Sequence, residues 1–407
     1  MLSVDDALEL MLNAAVELPV QQVALSDCLD AVLAQALTTP HDSPPFDKSM
    51  MDGFAVNSAT YGSDLLPLTI TETITAGTVP TIPVAAGNAA RIMTGAPLPP
   101  NADCVVPIER TQFDESIPSE VGIAPEFVGP ERHVLRQGAS ATSGTELLAA
   151  GTLLKPQQIA VLAEFGISHV PVIRQPSVAV LATGDELIPA EQQLTPGRIR
   201  NSNQPMLESQ IWRALANPVI LGIARDNKEE LDQSIRSGLE SDVLLLTGGV
   251  SAGTLDLVPA ALADAGIEQV FHKVRMKPGK PLWFGQRRYN GHLCLVVGLP
   301  GNPVSSMICF EVFVRPMLEV LSGRQPHASR MQTATLTQDI AIRGDRLTYY
   351  PSTLQRTADG IQATPVAWGG SADLRSTALA NGACCLEPVP DGYGKGQRVP
   401  VLCWDEV

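Results

Sequence analysis

From Ser177 to about Ser322 the chain alternates short apolar runs with amphipathic stretches, and this alternation narrows the possible folds more than any other feature. The runs Val178–Ala182, Val219–Ile223, Asp242–Thr247 and Leu293–Val297 have the length and character of buried strands. Between them, helical periodicity covers Gln204–Ala216, Lys228–Leu239 and Leu257–Ala265, and a last helix runs from about Val304 to Leu321. Strands alternating with helices predict an α/β domain: a doubly wound parallel sheet with helices on both faces. In such sheets, ligands bind beyond the carboxyl ends of the strands.

Three of those strand ends are unusually equipped. They read Thr183-Gly184-Asp185-Glu186, then Thr247-Gly248-Gly249-Val250-Ser251-Ala252-Gly253 with Asp256 close behind, then Leu299-Pro300-Gly301-Asn302-Pro303-Val304-Ser305. Asn302 suits a helix N-cap and Pro303 the first helical position. A strand therefore delivers its end to a helix N-terminus, whose free N–H groups and dipole attract anions. One such turn is as consistent with an ordinary junction. Three at one sheet edge describe a pocket of bare backbone with carboxylates around it.

Charge points the same way. The loop Lys273-Val274-Arg275-Met276-Lys277-Pro278-Gly279-Lys280 packs four cations into eight residues of a chain whose net charge is −15. Such a cluster predicts a phosphate or oxyanion site. Glu186, Asp226 and Asp256 would repel that anion unless a divalent cation intervened. This points to Mg²⁺, which one or two carboxylates and substrate phosphates typically hold.

The whole chain has 407 residues, 44% of them hydrophobic, enough for about two to four domains. Its acidity argues against a general nucleic-acid surface. Seven cysteines without a C-x-x-C pair read as reduced thiols of a cytoplasmic protein. No run approaches a membrane span, and the acidic start does not resemble a signal peptide. Ser3-x-x-Asp6 marks a helix start, and Ser26–Gln35 is expected to form a second, short helix. A helix is also expected at Lys155–Phe165. Pro- and Gly-rich, Thr/Val-alternating sequence from Thr39 to about Arg136 predicts a mostly β region, and the tail beyond about 330 predicts a small β barrel or sandwich. P-loop, dinucleotide and zincin motifs are absent from the sequence. Gly249-Val-Ser251-Ala-Gly253 fits a hydrolase nucleophile elbow, but of the later histidines His272, His292 and His327 none sits in a convincing strand-end loop.

The stretch Phe46-Asp47-Lys48-Ser49-Met50-Met51-Asp52-Gly53-Phe54-Ala55 resembles the signature F-D-x-S-x-M-D-G-[YF]-A of the molybdopterin molybdenumtransferase family, which includes the C-terminal half of gephyrin. Arg91–Pro97, the three strand-end turns and Lys277-Pro-Gly-Lys280-Pro match in order. This resemblance implies a substrate pair of molybdate and adenylylated molybdopterin, a need for Mg²⁺ and release of AMP. It implies a homodimer whose site is shared between subunits. A molybdopterin adenylyltransferase and molybdoenzyme chaperones are then candidate partners.

It also implies roles. Asp52, as a catalytic residue, and Thr94, as a substrate-binding one, would reach the site from the partner chain. Glu186, Asp226 and Asp256 would be catalytic, with Glu186 and Asp256 as metal ligands. Thr183, Gly184, Gly248, Gly249, Ser251, Lys273, Lys277, Lys280, Pro300, Gly301, Asn302, Pro303, Ser305 and Ser371 would bind substrate. The implied domains are a helix at 1–19, a linking domain of 20–38 and 138–175, a β-rich domain of 39–137, the doubly wound domain of 176–324 and a C-terminal β domain of 325–407.

Three departures stand out. The family pattern R-x-x-G-E-D is replaced by Leu135-Arg136-Gln137-Gly138-Ala139-Ser140, which lacks both acids. An aromatic-x-Arg pattern becomes Tyr349-Tyr350-Pro351, with Arg346 nearby, and Lys48 stands where asparagine is usual. They raise the alternative of a weakened paralogue that binds molybdopterin or acts as a scaffold.

Overall fold

The computed structural model describes residues 1–62, 67–249, 257–326 and 330–404. Ser251 and Asp256 lie outside the described residues. The chain divides into two compact units: Met1–Ala34, Leu153–Lys155 and His169–Val407 form one, and Gln35–Thr152 with Pro156–Ser168 form the other.

The first unit is built on a six-stranded sheet. Its strands are β1 (Ser177–Thr183), β2 (Asn217–Ala224), β3 (Val243–Thr247), β4 (Glu268–His272), β6 (Trp283–Tyr289) and β7 (His292–Leu299), with β5 (Met276–Lys277) leaving for another sheet. The order is β2-β1-β3-β7-β6-β4. The β2-β1-β3-β7 portion is parallel, as the alternation predicts. Strand β6 runs antiparallel to both neighbours and makes the sheet mixed. Successive residues of the central strands serve two cores. Val178, Val180, Leu245 and Val297 pack with Met11, Leu207 and Phe313. Ala179, Leu181, Leu244 and Val296 pack with Leu231, Ile235 and Leu262 on the other face. Burial on both faces is why these strands read as continuous apolar runs.

Helix α1 (Val4–Ala14) starts at the capping box formed by Ser3 and Asp6. Helix α2 (Asn203–Arg213) joins β1 to β2, α3 (Lys228–Gly238) joins β2 to β3, and α4 (Val258–Asp264) precedes β4. The helix after β7 departs from a regular α-helix. Pro303–Cys309 is α-helical, Phe310–Val314 forms a π turn, and Arg315–Leu321 is α-helical again. The π turn carries buried Glu311, which accepts from Gln210 Nε2 at 2.8 Å and pairs with Arg315 and Arg330. The expected helix at Ser26–Gln35 does not form. After a single 3₁₀ turn at Leu25–Asp27, Asp30 takes a left-handed φ of 61°, and Val32–Leu33 is a strand. Apart from one turn bond, Ala31 N–H to the Cys28 carbonyl, the backbone there bonds to Leu154 and Pro171.

The unit ends in a closed barrel of β8 (Met331–Leu336), β9 (Leu347–Thr357), β10 (Gly360–Pro365), β11 (Gly382–Leu386) and β12 (Arg398–Cys403), ordered β9-β10-β8-β12-β11 and back to β9. Strand β5 adds to β9 in parallel, setting Lys277 beside Thr348. The second unit contains a six-stranded sheet ordered Cys104–Pro107, Gly53–Val56, Asn88–Ile92, Pro67–Ile74, Glu120–Ile123 and Thr111–Phe113. All seven cysteines are buried and free.

At the amino end of the main sheet, Asp242 ties β3 to β1. It is 3% exposed and accepts from Arg174 at 2.6 and 2.8 Å and from the backbone N–H and hydroxyl of Ser177, each at 2.8 Å. Burial pushes its carboxyl pKa up, but these donors outweigh burial and hold it below the ordinary value. A depressed pKa stabilises the fold above the unfolded carboxyl's pKa of about 3.9 and is lost as pH falls through the folded value. Asp242→Ala is expected to cost about 3 kcal/mol in urea denaturation at pH 7, because it strands Arg174. The loss should shrink toward acid pH.

Candidate active site at the carboxyl edge of the sheet

Parallel pairing sets Ala182 beside Thr247 and Thr247 beside Leu299, so β1, β3 and β7 end at one level. Thr183 pairs with Ala224 at the end of β2. A cavity of about 520 Å³ opens above these ends, within the range of small-molecule sites. The sequence-expected residues Thr183, Gly184, Glu186, Asp226, Gly248, Gly249, Pro300, Gly301, Asn302 and Pro303 all line it.

The turn after β3 must be glycine. Gly248 has φ +95°, and a Cβ there would stand 2.5 Å from the Thr183 carbonyl oxygen. Its N–H donates to the Leu299 carbonyl at 3.3 Å, tying the β3 and β7 turns together. A Cβ on Gly184 would stand 2.6 Å from Glu186 Oε2, which places that exposed carboxylate against the first turn. Asp226 is also exposed, and its N–H reaches Asp185 Oδ1 at 3.4 Å.

Asn302 caps the helix after β7 without a side-chain bond to it. Its amide instead donates to Ser371 Oγ at 2.9 Å, and the Val304 N–H donates to the Ser371 carbonyl at 3.1 Å. Thus one of the free helix N–H groups expected to take an anion is already satisfied by the loop before α5 (Leu374–Thr377). Ser371 and buried Ser305 are not among the residues that line the cavity. Neither are Lys273, Lys277 and Lys280; Pro281 is the residue of the basic loop that does. The lysine loop closes on itself, with Lys273 N–H donating to the Leu282 carbonyl at 2.8 Å. Arg346 donates to the Met276 carbonyl at 3.0 Å, so its guanidinium braces this loop.

Sequence reasoning missed a third wall. Leu187–Ile188 pairs with Ile199–Arg200, and Asn201, Ser202 and Asn203 follow at the start of α2. Asn203 Nδ2 donates to Thr247 Oγ1 at 2.7 Å and to the Gly301 carbonyl at 2.8 Å. The polar run Asn201-Ser-Asn at a helix start was the available signal.

The second unit holds the remaining expected pair. Asp52 Oδ1 accepts from both the N–H and the hydroxyl of Thr94, each at 2.7 Å. A Cβ on Gly53 would lie 2.0 Å from the Val106 carbonyl oxygen, so only glycine lets this strand start directly after Asp52. The Thr94 backbone bond and then its hydroxyl hold the Asp52 carboxyl below its ordinary pKa. Where two acids are missing, Arg136 is engaged by Asp47 and Glu131, and Asp42 accepts from Gln137 Nε2 and Ser143 N–H, each at 2.8 Å.

Comparison with known proteins places this geometry. Residues 2–166 match the MoeA N-terminal region (domain I and II), residues 179–320 a probable molybdopterin binding domain, and residues 333–404 the MoeA C-terminal region (domain IV). A molybdopterin molybdenumtransferase of Bacillus subtilis (strain 168) is 34% identical over 406 residues, covering 98% of this chain and 93% of the relative. The chain belongs to the MoeA family. It is an enzyme of the molybdopterin molybdenumtransferase class. A second such relative, from Staphylococcus aureus (strain MSSA476), is 33% identical over 98% of the chain and 94% of its own length. Among solved MoeA structures, a molybdopterin biosynthesis protein from Pyrococcus horikosii superposes with a TM-score of 0.83 at 28% identity, covering 100% of both chains.

The donor set around the cavity suits Mg²⁺ only in company. Among the described residues, no three His, Cys, Asp or Glu side chains gather as a metal cage. Glu186 and Asp226 line one cavity, which fits a cation that also takes ligand phosphates. At the second site, Thr94→Val removes one of two donors to Asp52 and keeps the backbone one. The Asp52 carboxyl should then titrate closer to its ordinary value, as followed by carbon-detected NMR.

Proposed function

We propose that this enzyme inserts molybdate into adenylylated molybdopterin with Mg²⁺-dependent release of AMP. The observation that carries the reading is one cavity of about 520 Å³ bordered by the Gly248–Gly249 turn, the Asn302 helix start and the carboxylates of Glu186 and Asp226, in a chain of this family. In this reading, the backbone of the Gly248–Gly249 and Asn302 turns orients the phosphates. Glu186 and Asp226, with Asp256, would hold Mg²⁺ in company with the ligand's phosphates. When bound there, Mg²⁺ would supply charge neutralisation at the phosphoryl groups. Lys273, Lys277 and Lys280, which do not line this cavity, supply positive charge for molybdate, and Ser371 offers it a hydroxyl donor. Such positioning and charge compensation are the main levers in phosphoryl chemistry.

The site is shared in the proposed homodimer, with Asp52 and Thr94 supplied by the partner subunit. The Asp52–Thr94 pair is pre-oriented for a role in such a site. A scaffold reading draws on Ala139 and Ser140, which stand in place of two acids.

The assay follows AMP release and cofactor formation from adenylylated molybdopterin, Mg²⁺ and molybdate. Turnover by the wild-type chain supports insertion, whereas ligand binding without AMP release supports the scaffold. Asp52→Ala and Glu186→Ala should each lower turnover at least about 100-fold. Co-expressed, the two inactive chains should regain about a quarter of wild-type activity, because half the dimers are mixed and each of those has one intact site. No recovery in verified mixed dimers would place both residues in one chain's own site.

A further inference from the structure

We infer that Asn203 and Thr183 read an N–H-bearing edge of a fused nitrogen heterocycle on the floor of this cavity. The inference rests on the cavity's being the site of the adenylylated pterin and adds how the ligand's uncharged part is recognised. Asn203 is 8% exposed and Thr183 is 3% exposed, and both line the cavity. The Asn203 amide is fixed in orientation. Its Nδ2 donates to the Gly301 carbonyl, which can only accept, so a flipped amide would set oxygen against oxygen. The second Nδ2 proton goes to Thr247 Oγ1. This leaves Oδ1 as an acceptor, and it has no partner among the described residues. The Thr183 hydroxyl has none either.

A buried polar atom without a partner destabilises a fold, and natural cores contain few. Two such atoms lining one cavity match a site whose partners arrive with a ligand. Their chemistry restricts which part of the ligand that is. A carboxamide oxygen repels phosphate or molybdate oxygens and accepts from N–H. A threonine hydroxyl donates or accepts. The pair therefore complements a heterocyclic edge that carries an N–H beside a ring nitrogen or carbonyl. Pterin and adenine both present such an edge, while the anionic groups remain with the glycine turn and the Asn302 turn.

Titration calorimetry with AMP and with molybdopterin, taken separately, tests this on the wild-type chain, Thr183→Val and Asn203→Ala. Thr183→Val is nearly isosteric and removes only the orphan hydroxyl. It should weaken at least one probe about tenfold, with an unliganded melting temperature equal to or above wild type. Loss for AMP assigns the adenine edge to this floor, and loss for molybdopterin assigns the pterin edge. Asn203→Ala should weaken the same probe and also lower the melting temperature, because its ties to Thr247 and Gly301 go. Unchanged affinity of Thr183→Val for both probes overturns the inference, as does a lowered melting temperature for that variant, which would mean an internal partner. Failure of the wild-type chain to bind either probe would instead overturn the underlying reading of the cavity.

Discussion

Parallel hydrogen bonding between β1, β3 and β7 fixes Ala182, Thr247 and Leu299 in one row, and the site depends on that row. Because the register is shared, three turns leave the sheet side by side. They could diverge there, but the Gly248 N–H bond to Leu299 and the Asn203 bonds to Thr247 and Gly301 hold them together. The sheet is buried on both faces, so a slip in register would move apolar side chains between two packed cores. The same burial that stabilises the sheet therefore sets the geometry of its edge.

Polar atoms are treated differently at the two ends of this sheet. At the amino end, Asp242 is buried with a full set of donors, a purely structural arrangement. At the carboxyl end, Thr183 Oγ1 and Asn203 Oδ1 are buried without protein partners among the described residues. In the proposed reading, stability is given up there to receive a ligand. Asp52 shows a third arrangement, an exposed carboxylate already oriented by two donors from one residue. Such pre-orientation reduces the reorganisation needed when charge develops nearby.

Much of this was legible in the sequence because the signals are local. The Ser3–Asp6 cap, the apolar runs of β1, β3 and β7, and the glycine turns each depend on a few neighbouring residues. Strands β4 and β6 were not legible. Only the first half of β6 is buried, and Gln286, Arg287 and Arg288 carry its register on to the exposed end. The false helix at Ser26–Gln35 had a helical pattern, yet its backbone partners at Leu154 and Pro171 lie over a hundred residues away. Asn203 was passed over because helix α2 starts one residue before the periodicity suggested, and its value lies in bonds to two distant turns. The lysines illustrate the converse. Their clustering was plain, but only folding shows that Pro281, not a lysine, is the loop's contribution to the cavity lining.

The most direct measurement is a crystal structure of the full-length chain with adenylylated molybdopterin bound. The account predicts the ligand in the cavity above Thr183 and Gly301, its phosphates against the Gly248–Gly249 turn and the Asn302 turn, and a heterocycle over Asn203. A ligand bound elsewhere, with that cavity holding only solvent, would contradict it.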